Sequence, residues 1–333
     1  MFLEDSLVVK TKTLAIVVAV IVVSSFAVYG YWSTITPRAD VRIGYLNQDL
    51  HQLALQVALV NGYFEDENIT VETVVFSNGA FEMDGFLADQ IDMGYLGAAP
   101  ALTKRLNMDI LITILASVNL EGSAIMVKKS EYDSGAVTSI ANLTGKRVHH
   151  PGVSTVQNFL LRLALENAGM TYEDIIPVFT IPPLMEDALT TEAPAFIAWE
   201  PYCAKAEYSD AAVVLMNSGE IWPSHPCCVV ASANSFLEAH PDVVQKVINV
   251  HKRAEQWIVD NPLGAIAIAV DWLEMDQSPV ENAFNRIIFD YNLNMTGLTM
   301  YLEFLIDQGQ VDLQWSEVAS FMNGFVNATF VES

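Results

Sequence analysis

The stretch VRIGYLNQDLHQLALQVALVNGYF, residues 41–64, determines the fold class that the rest of the chain repeats. Its first six residues, Val41–Leu46, form a short run typical of a β-strand. A polar segment, Asn47–Gln52, comes next, and Leu53–Asn61 then has the apolar content of a helix that ends before Gly62. A strand, a polar loop and a helix in this order predict the first unit of an α/β fold.

The same alternation of strand and helix continues through two series along the chain. Further strand candidates are Thr70–Phe76, Asp92–Leu96, Ile110–Leu115, Arg147–His150, Ile175–Phe179, Ala195–Ala198 and Ala212–Leu215. Helical stretches between them include Phe81–Asp89, Ala99–Leu106 and Thr155–Ala168. Such alternation indicates parallel sheets with helices on both faces. The predicted fold class is therefore α/β, with each lobe a mostly parallel sheet flanked by helices.

The boundaries of the lobes follow from breaks in this alternation. A polar stretch, Lys128–Gly135, separates the two series, and beyond Val229–Ala231 the sequence becomes mainly helical. We therefore predict one lobe inserted between two parts of another. The first part of lobe 1 is expected at 41–127, lobe 2 at 128–228, and the return part of lobe 1 with the C-terminal helices at 229–333.

The N-terminal segment Leu14–Trp32 carries no charge over about 19 residues, which is just long enough for a helix to cross the hydrocarbon core of a bilayer. Lys10 and Lys12 precede it, and aromatic residues lie at its far end. We predict a transmembrane anchor at 14–32, a short cytoplasmic tail at 1–13, and the main domain on the extracytoplasmic side. A cleaved signal peptide is the alternative, although its apolar core is usually shorter.

The composition combines high acidity with high hydrophobicity. The chain has 40 Asp and Glu residues against 16 Lys and Arg, a net charge of −24, and 52% hydrophobic residues. This hydrophobic content excludes intrinsic disorder, and the negative charge argues against a nucleic-acid partner. Three cysteines cannot make a disulfide framework. The acidity is compatible with a solvated extracellular surface or with adaptation to salty surroundings, and both readings stay open.

Common catalytic and metal-binding motifs are absent from the sequence. No HExxH, CxxC, GxSxG or GxxxxGK[ST] motif occurs. Two pairs of neighbours, His149–His150 and Cys227–Cys228, have the residue types of metal ligands. Because adjacent side chains on a strand point to opposite faces, two neighbours cannot easily bind one ion. We therefore predict no metal site and interpret the two cysteines as packing residues of a strand.

Five loops follow predicted strands and carry polar or small residues. They are Asn47–Gln52, Gly97–Pro100, Pro151–Thr155, Trp199–Tyr202 and Ser224–Cys228. Ligands of open α/β sheets bind beyond the carboxyl ends of the strands, so these loops are expected to converge on one site. The start of the helix after Ser154 and Thr155 would present backbone N–H groups and a dipole that favour an anionic group.

Four motifs give this chain a resemblance to a known family. They are Gly62–Glu65 followed by Val71–Glu72, then Asp92–Gly97, then Leu143–Val148 followed by Gly152–Leu161, and finally Ala198–Pro201. In this order and spacing the chain resembles the solute-binding proteins of ABC importers, in the group for nitrate, sulfonates, taurine and thiamine pyrimidine precursors. The resemblance covers about Val41 to Trp272.

The resemblance implies a two-lobed periplasmic-binding-protein-like fold of type II, with hinges near Val127–Lys128 and Cys228–Val230. It implies a receptor that closes over a small molecule and delivers it to an ABC permease and its ATPase, without catalysis and without a cofactor. An enzyme of the same fold that makes or modifies a thiamine pyrimidine precursor is the alternative. An extracellular sensory or adhesion domain is a third reading.

Carried over by position, the resemblance also implies a set of ligand-binding residues. They are Gln48, Asp49, His51, Gly97, Ala98, Ala99, Gly152, Ser154, Thr155, Trp199, Glu200, Tyr202, His225 and Cys227. Trp199 or Tyr202 would provide an aromatic wall, and His51, Glu200 and His225 would set specificity. The acidic Glu200 favours a ligand with a cationic or hydrogen-bond-donating part, such as a pyrimidine or an amino-sulfonate.

Overall fold

The computed structural model of the chain describes residues 39–332. The predicted cytoplasmic tail at 1–13 and transmembrane anchor at 14–32 lie outside the described residues. None of the helices within residues 39–332 is both long enough and apolar enough to cross a membrane.

Two mixed β-sheets with helices around them make up the described part of the chain. The strands are β1 (Val41–Leu46), β2 (Val71–Phe76), β3 (Met93–Gly97), β4 (Ile112–Glu121), β5 (Ser123–Lys128), β6 (Arg147–His150), β7 (Ile176–Phe179), β8 (Ala195–Trp199), β9 (Ala212–Asn217), β10 (Pro226–Ala233) and β11 (Ile287–Phe289). The helices are α1 (Leu53–Val60), α2 (Tyr63–Asp66), α3 (Gly79–Leu87), α4 (Ala98–Met108), α5 (Lys129–Asp133), α6 (Val156–Asn167), α7 (Tyr202–Tyr208), α8 (Ser218–Ile221), α9 (Asn234–Ala239), α10 (Pro241–Asp260), α11 (Pro262–Leu273), α12 (Gln277–Phe284), α13 (Met295–Asp307), α14 (Val318–Phe325) and α15 (Thr329–Glu332).

Lobe 1 is built on a six-stranded sheet in the order β11-β4-β10-β3-β1-β2. Strand β1 pairs in parallel with β2 and β3, whereas β10 runs antiparallel to both of its neighbours, β3 and β4. Every residue of β3 is buried, as expected for a strand at the centre of a covered sheet. The carboxyl ends of β1 and β3 therefore lie at the same edge of the sheet as the amino end of β10.

Lobe 2 is built on a five-stranded sheet in the order β7-β6-β8-β5-β9. Strand β6 pairs in parallel with β7 and β8, and β5 is antiparallel to both β8 and β9. Helix α13 belongs to the return part of the chain but packs on lobe 2, since the rings of Tyr301 and Phe304 lie 4.1 and 4.4 Å from the ring of Phe159 in α6.

Each sheet is only partly parallel: four of the six strands of lobe 1 and four of the five strands of lobe 2 run in one direction, and the others run against them. A strand that enters a lobe from the other lobe starts at the edge between them and must run away from it. Strands β5 and β10 are these entering strands, and they run opposite to the strands that end at the shared edge. The alternation of strand and helix in the sequence revealed the elements but not this change of direction.

The chain passes from lobe 1 to lobe 2 at Gly122, which lies between β4 and β5, and returns between β9 and β10. The first crossing is earlier than the predicted boundary at Val127–Lys128, which lies at the far end of β5. Gly122 has a φ of +82°, and a Cβ there would lie 2.2 Å from Nε2 of His51. Only glycine fits this backbone conformation so close to an imidazole ring.

Candidate ligand-binding cleft

A small buried cavity lies between the two sheets. Its volume is about 20 Å³, which is about the room that one water molecule needs. Residues of both lobes line it: Leu46, Asp49, His51, Gly79, Gly97, Pro100, Cys227 and Cys228 from lobe 1, and Thr155, Val156, Gln157 and Trp199 from lobe 2. The cavity thus lies where β1, β3 and β8 end and where β10 begins.

Three helices begin at this cavity. Gly79 is the first residue of α3, Gly97 is the N-cap of α4, and Thr155 is the N-cap of α6. The side chain of Asn78 caps α3 and that of Thr155 caps α6, whereas α4 has no side-chain cap. Unpaired N–H groups and the helix dipole make such an end attractive to an anion.

Glycine at position 79 allows two of these helix ends to come close together. A Cβ at Gly79 would lie 2.8 Å from Cγ of Pro100 in the first turn of α4. Any larger residue would therefore push α3 and α4 apart. The sequence signal for this element is the Asn78–Gly79 pair two residues after β2, which lies outside the five predicted loops.

Besides the three helix ends, the side chain of Trp199 lines the cavity and carries a polar group. Its side chain is 4% exposed, and its Nε1–H has no hydrogen-bond partner within the described residues. A buried indole N–H normally has an acceptor, so this donor is available to a ligand. Gln157 also lines the cavity, but its Nε2 donates to Oγ of Ser123 at 3.0 Å.

His51 is the centre of a buried polar cluster on the lobe 1 wall of the cavity. Its Nε2–H donates to the carbonyl oxygen of Gly122 at 2.8 Å. Its Nδ1 lies 3.6 Å from Sγ of Cys227, 3.8 Å from Sγ of Cys228 and 3.3 Å from Oδ1 of Asp49. All four side chains are buried. A dense group of ionisable side chains thus faces the cavity.

Burial and mutual charge perturb this cluster strongly. Burial raises the pKa of Asp49 to about 6, although the charge on His51 opposes the change. Burial alone would lower the pKa of His51, but the facing Cys227 thiolate and the Asp49 carboxylate outweigh it and raise the pKa to about 10. The thiol of Cys228, which donates to Cys227, and the charge of His51 hold the pKa of Cys227 well below its usual range.

The two cysteines do not point to opposite faces, and the prediction based on strand alternation is wrong for this pair. The register between β10 and β4 shifts twice here, as Pro226, Cys228 and Val229 pair with Leu120, Asn119 and Ser117. Such a bulge re-aims side chains, and it leaves the two sulfur atoms 3.9 Å apart. Both thiols therefore meet His51, which makes the three residues a candidate set of metal ligands.

The other predicted metal pair does not form a comparable group. Nδ1 of His149 lies 2.8 Å from Oγ1 of Thr180, and Nε2 of His150 lies 3.3 Å from the hydroxyl of Tyr172. Burial lowers the pKa of both histidines. Each ring is thus held by a hydroxyl group of lobe 2.

The structure brings some of the predicted ligand-binding residues to the cavity and places others nearby. The cavity-lining members are Asp49, His51, Gly97, Thr155, Trp199 and Cys227. Ala98 and Ala99 are buried in the first turn of α4. Gly152 and Ser154 line an outer groove of about 590 Å³, together with aromatic residues such as Phe81 and Phe179. That any of them contacts a ligand stays a prediction.

Four predicted residues lie behind the cavity wall and bind other parts of the protein. The amide of Gln48 lies 3.5 Å from the carbonyl oxygen of Leu273. Tyr202 is buried, with its ring 6.2 Å from that of Trp199. The Nδ1 of His225 lies 3.0 Å from the carbonyl oxygen of Pro226. These contacts give Gln48, Tyr202 and His225 supporting positions rather than positions on the cavity surface.

Glu200 is the fourth of these residues, and its charge is matched within the protein. It is fully buried, it accepts a hydrogen bond from the backbone N–H of Ala204 at 2.9 Å, and it pairs with Nη1 of Arg286 at 2.9 Å. The prediction that Glu200 selects a cationic ligand is therefore wrong in its physical reason, since this carboxylate is already paired with Arg286. Sequence reasoning had no means to find Arg286, which lies 86 positions away.

The residues that the sequence missed are mostly neighbours of the predicted ones. They are Leu46, Gly79, Pro100, Val156, Gln157 and Cys228. All except Gly79 lie within, or next to, a predicted loop.

Two sheets joined by paired crossings, with a cavity at their facing edges, define the periplasmic-binding-protein-like α/β class. A family model described as the NMT1-like family matches residues 35–273, and the chain belongs to this family. A protein of Brucella abortus (strain 2308), named as a binding protein, is 26% identical over 245 residues, which cover 72% of this chain and 74% of that protein.

Two further comparisons point the same way. A protein of Bacillus subtilis (strain 168), named as an aliphatic sulfonates-binding protein, is 26% identical over 75% of this chain and 76% of its own length. The crystal structure of the periplasmic nitrate-binding protein NrtA from Synechocystis PCC 6803 has a TM-score of 0.78 at 14% identity, and it covers 88% of this chain and 87% of that one. These relatives are named as binding proteins, in agreement with the expectation that the chain is not an enzyme.

Proposed function

We propose that this protein is a solute receptor of an ABC import system, which binds a small molecule with one anionic group and delivers it to a permease and its ATPase. The observation that carries this proposal is the meeting of three helix N-termini, from both lobes, at one cavity. The names of the relatives support a solute of the sulfonate or nitrate type.

The cavity suits a single negative charge better than two. No Lys or Arg is among the described residues that line it, so helix ends and the Nε1–H of Trp199 would have to hold the anion. Asp49, the Cys227 thiolate and the charged imidazole of His51 lie on the lobe 1 wall, and their net negative charge repels a second negative charge on the solute. A monoanionic sulfonate or nitrate fits this balance, whereas sulfate does not.

Binding requires the two lobes to move. With a volume of about 20 Å³, the cavity is smaller than a sulfonate, so the lobes must part to admit one. The crossing at Gly122 lies beside the cavity, and its carbonyl oxygen accepts hydrogen bonds from His51 of lobe 1 and from the backbone N–H of Glu200 of lobe 2. A pivot at this position would open the cleft as a hinge.

The tether to the membrane and the extracytoplasmic location belong to the same proposal. They rest on the uncharged run Leu14–Trp32 and on Lys10 and Lys12 before it. Alkaline washing of membranes should leave the full chain in the pellet, and protease added to intact cells should degrade the main domain. Release of a shorter chain that begins near Arg38 would contradict the tether.

Calorimetric titration of the full chain, in detergent and with a chelator present, tests the receptor function. We expect saturable binding of one ethanesulfonate or nitrate per chain, and binding of sulfate at least about tenfold weaker, since each 1.4 kcal/mol of repulsion changes affinity tenfold. The proposal fails when neither monoanion binds at millimolar concentration, or when sulfate binds more tightly than both.

The variant Trp199→Phe should weaken binding of the sulfonate or nitrate by about 10- to 100-fold, because it removes a hydrogen bond to a charged group and keeps an aromatic ring. Trp315→Phe is the matched control, since Trp315 is 54% exposed and does not line the cavity. Equal affinities of the two variants would show that the indole N–H does not contact the solute.

A further inference from the structure

We infer that His51, Cys227 and Cys228 form a binding site for a thiophilic metal ion, of the Zn²⁺ or Cu⁺ type, on the wall of the cavity. This inference goes beyond the proposed receptor function and does not depend on it. It rests on the distances between the three side chains, on the hydrogen bond that orients the imidazole ring, and on the burial of the group.

The three ligand atoms already have the spacing of a tetrahedral site. Bonds of about 2.3 Å from zinc to sulfur and about 2.0 Å to nitrogen give tetrahedral edges of about 3.8 Å between two sulfur atoms and about 3.5 Å between sulfur and nitrogen. The observed distances are 3.9 Å between the sulfur atoms of Cys227 and Cys228, and 3.6 and 3.8 Å from these atoms to Nδ1 of His51. An ion would require little rearrangement.

The imidazole ring is oriented as a metal ligand requires. Its Nε2–H donates to the carbonyl oxygen of Gly122 at 2.8 Å, so Nδ1 is the nitrogen that faces the two sulfur atoms. Histidines that bind metals usually donate their other N–H to a carbonyl or carboxylate group, which fixes the ring. The glycine at 122 is what allows this approach, because a Cβ there would collide with the ring.

The charge of the cluster also suits a cation. A metal ion would displace the protons of His51 and Cys228, and the resulting two thiolates and neutral imidazole bring two negative charges, which a divalent ion neutralises inside a buried site. Thiolate and imidazole ligands together favour Zn²⁺ or Cu⁺ over Mg²⁺ or Ca²⁺, which prefer oxygen. The third cysteine, Cys203, is also buried, but its Sγ lies 3.2 Å from the carbonyl oxygen of Ala198 in lobe 2.

The site has room for a fourth ligand. All three side chains line the cavity. Three protein ligands leave one tetrahedral position, and a cavity of about 20 Å³ holds about one water molecule. An exchangeable water, or an atom of a bound solute, would therefore complete the coordination.

Titration of the chelator-treated, reduced full chain with Zn²⁺ against a chromophoric chelator tests the site. We expect one Zn²⁺ per chain, and a loss of affinity of more than about 100-fold in His51→Gln, Cys227→Ser and Cys228→Ser, since removal of an outer-shell partner alone costs 10- to 100-fold. Cys203→Ser is the matched control and should bind Zn²⁺ as the unaltered chain does. Retention of Cu⁺ in preference to Zn²⁺, with the same variants affected, supports the site and identifies the ion.

A second measurement does not depend on the folding of any variant. Co²⁺ added to the unaltered chain should give a thiolate-to-cobalt charge-transfer band in the near ultraviolet, which Zn²⁺ then removes. Absence of this band, lack of stoichiometric Zn²⁺ and Cu⁺ binding, or full Zn²⁺ affinity in all three ligand variants would each overturn the inference. Because solute titrations are run with a chelator, failure of metal binding and failure of solute binding are distinguishable.

Discussion

Gly122→Ala is expected to lower the free energy of unfolding by about 3 kcal/mol or more. Alanine disfavours the left-handed backbone conformation at this position, and its methyl group would also collide with neighbouring atoms in a packed site. The new methyl group would lie 2.2 Å from Nε2 of His51 and 2.8 Å from Cγ1 of Ile287. Denaturant unfolding of the full chain measures the loss. Zn²⁺ affinity should fall as well, because the ring of His51 has to move.

The variant Gly145→Ala separates the cost of the left-handed backbone conformation from the cost of the collision. Gly145 has a φ of +70°, similar to that of Gly122, but a Cβ there meets no atom within 4 Å. We expect a loss of only about 1–2 kcal/mol from the backbone conformation. Equal losses in the two variants would mean that the close approach of Gly122 to His51 contributes nothing to stability.

Arg286→Leu is expected to lower the free energy of unfolding by about 3–5 kcal/mol, because it leaves the carboxylate of Glu200 buried without a counter-charge. Glu200 is 0% exposed, and the guanidinium group of Arg286 also binds Oε2 of Glu207 at 2.5 Å. Denaturant unfolding at pH 7 measures the loss. The double variant with Glu200→Gln should recover most of it, since no buried charge then lacks a partner.

The loss of unfolding free energy in Arg286→Leu should depend on pH in a defined direction. Burial raises the pKa of Glu200 and Arg286 opposes the rise, so removal of Arg286 raises the folded-state pKa further. A carboxyl group with a higher pKa in the folded than in the unfolded state takes up a proton on folding, and its penalty grows as the pH rises above the unfolded value of about 4.3. The deficit of Arg286→Leu should therefore shrink as the pH falls from 7 towards 4.

A surface ion pair provides the matched control for Arg286→Leu. Arg105 pairs with Asp109 one helical turn away, and the side chain of Asp109 is 82% exposed. Arg105→Leu should change the free energy of unfolding by less than about 1 kcal/mol. A similar loss in both variants, or a deficit of Arg286→Leu that grows on acidification, would contradict the account of the buried pair.

The local elements of the fold were predictable because their signals are local. The strands at Val41–Leu46 and Arg147–His150 are confirmed with the predicted bounds. Helix α6 begins at Val156, one residue after the predicted start at Thr155, and Thr155 is its N-cap, since Oγ1 of Thr155 accepts the backbone N–H of Asn158 at 3.2 Å. Apolar runs and capping residues act within a few positions, so a sequence window contains the full cause.

Strand direction and the first crossing were not predictable in the same way. The polar break at Lys128–Gly135 marks the end of β5 and the short helix after it, and not the passage between lobes. The passage is at Gly122 because β4, which ends at Glu121, belongs to the sheet of lobe 1. There it pairs with β10, which comes more than a hundred residues later in the chain. No feature of the sequence near Gly122 indicates which strand returns beside β4.

The candidate site was predictable in outline only. Each of the five proposed loops supplies a cavity-lining residue, as parallel strands deliver their ends to one edge. The partner of Glu200 and the bulge at Cys227 both depend on contacts between distant segments, and these decide which charges are free and which thiols meet. The membrane anchor stays a prediction from the N-terminal sequence.

The position of β10 has a consequence for how the protein is made. Strand β10 lies between β3 and β4, so the sheet of lobe 1 stays divided into two pieces until Pro226–Ala233 has been synthesised. Lobe 2, in contrast, draws all five strands from the continuous segment 123–217 and can assemble while the ribosome is still at work. We expect lobe 2 to become protease-resistant first in nascent chains, and the ligand cleft to form only when β10 inserts.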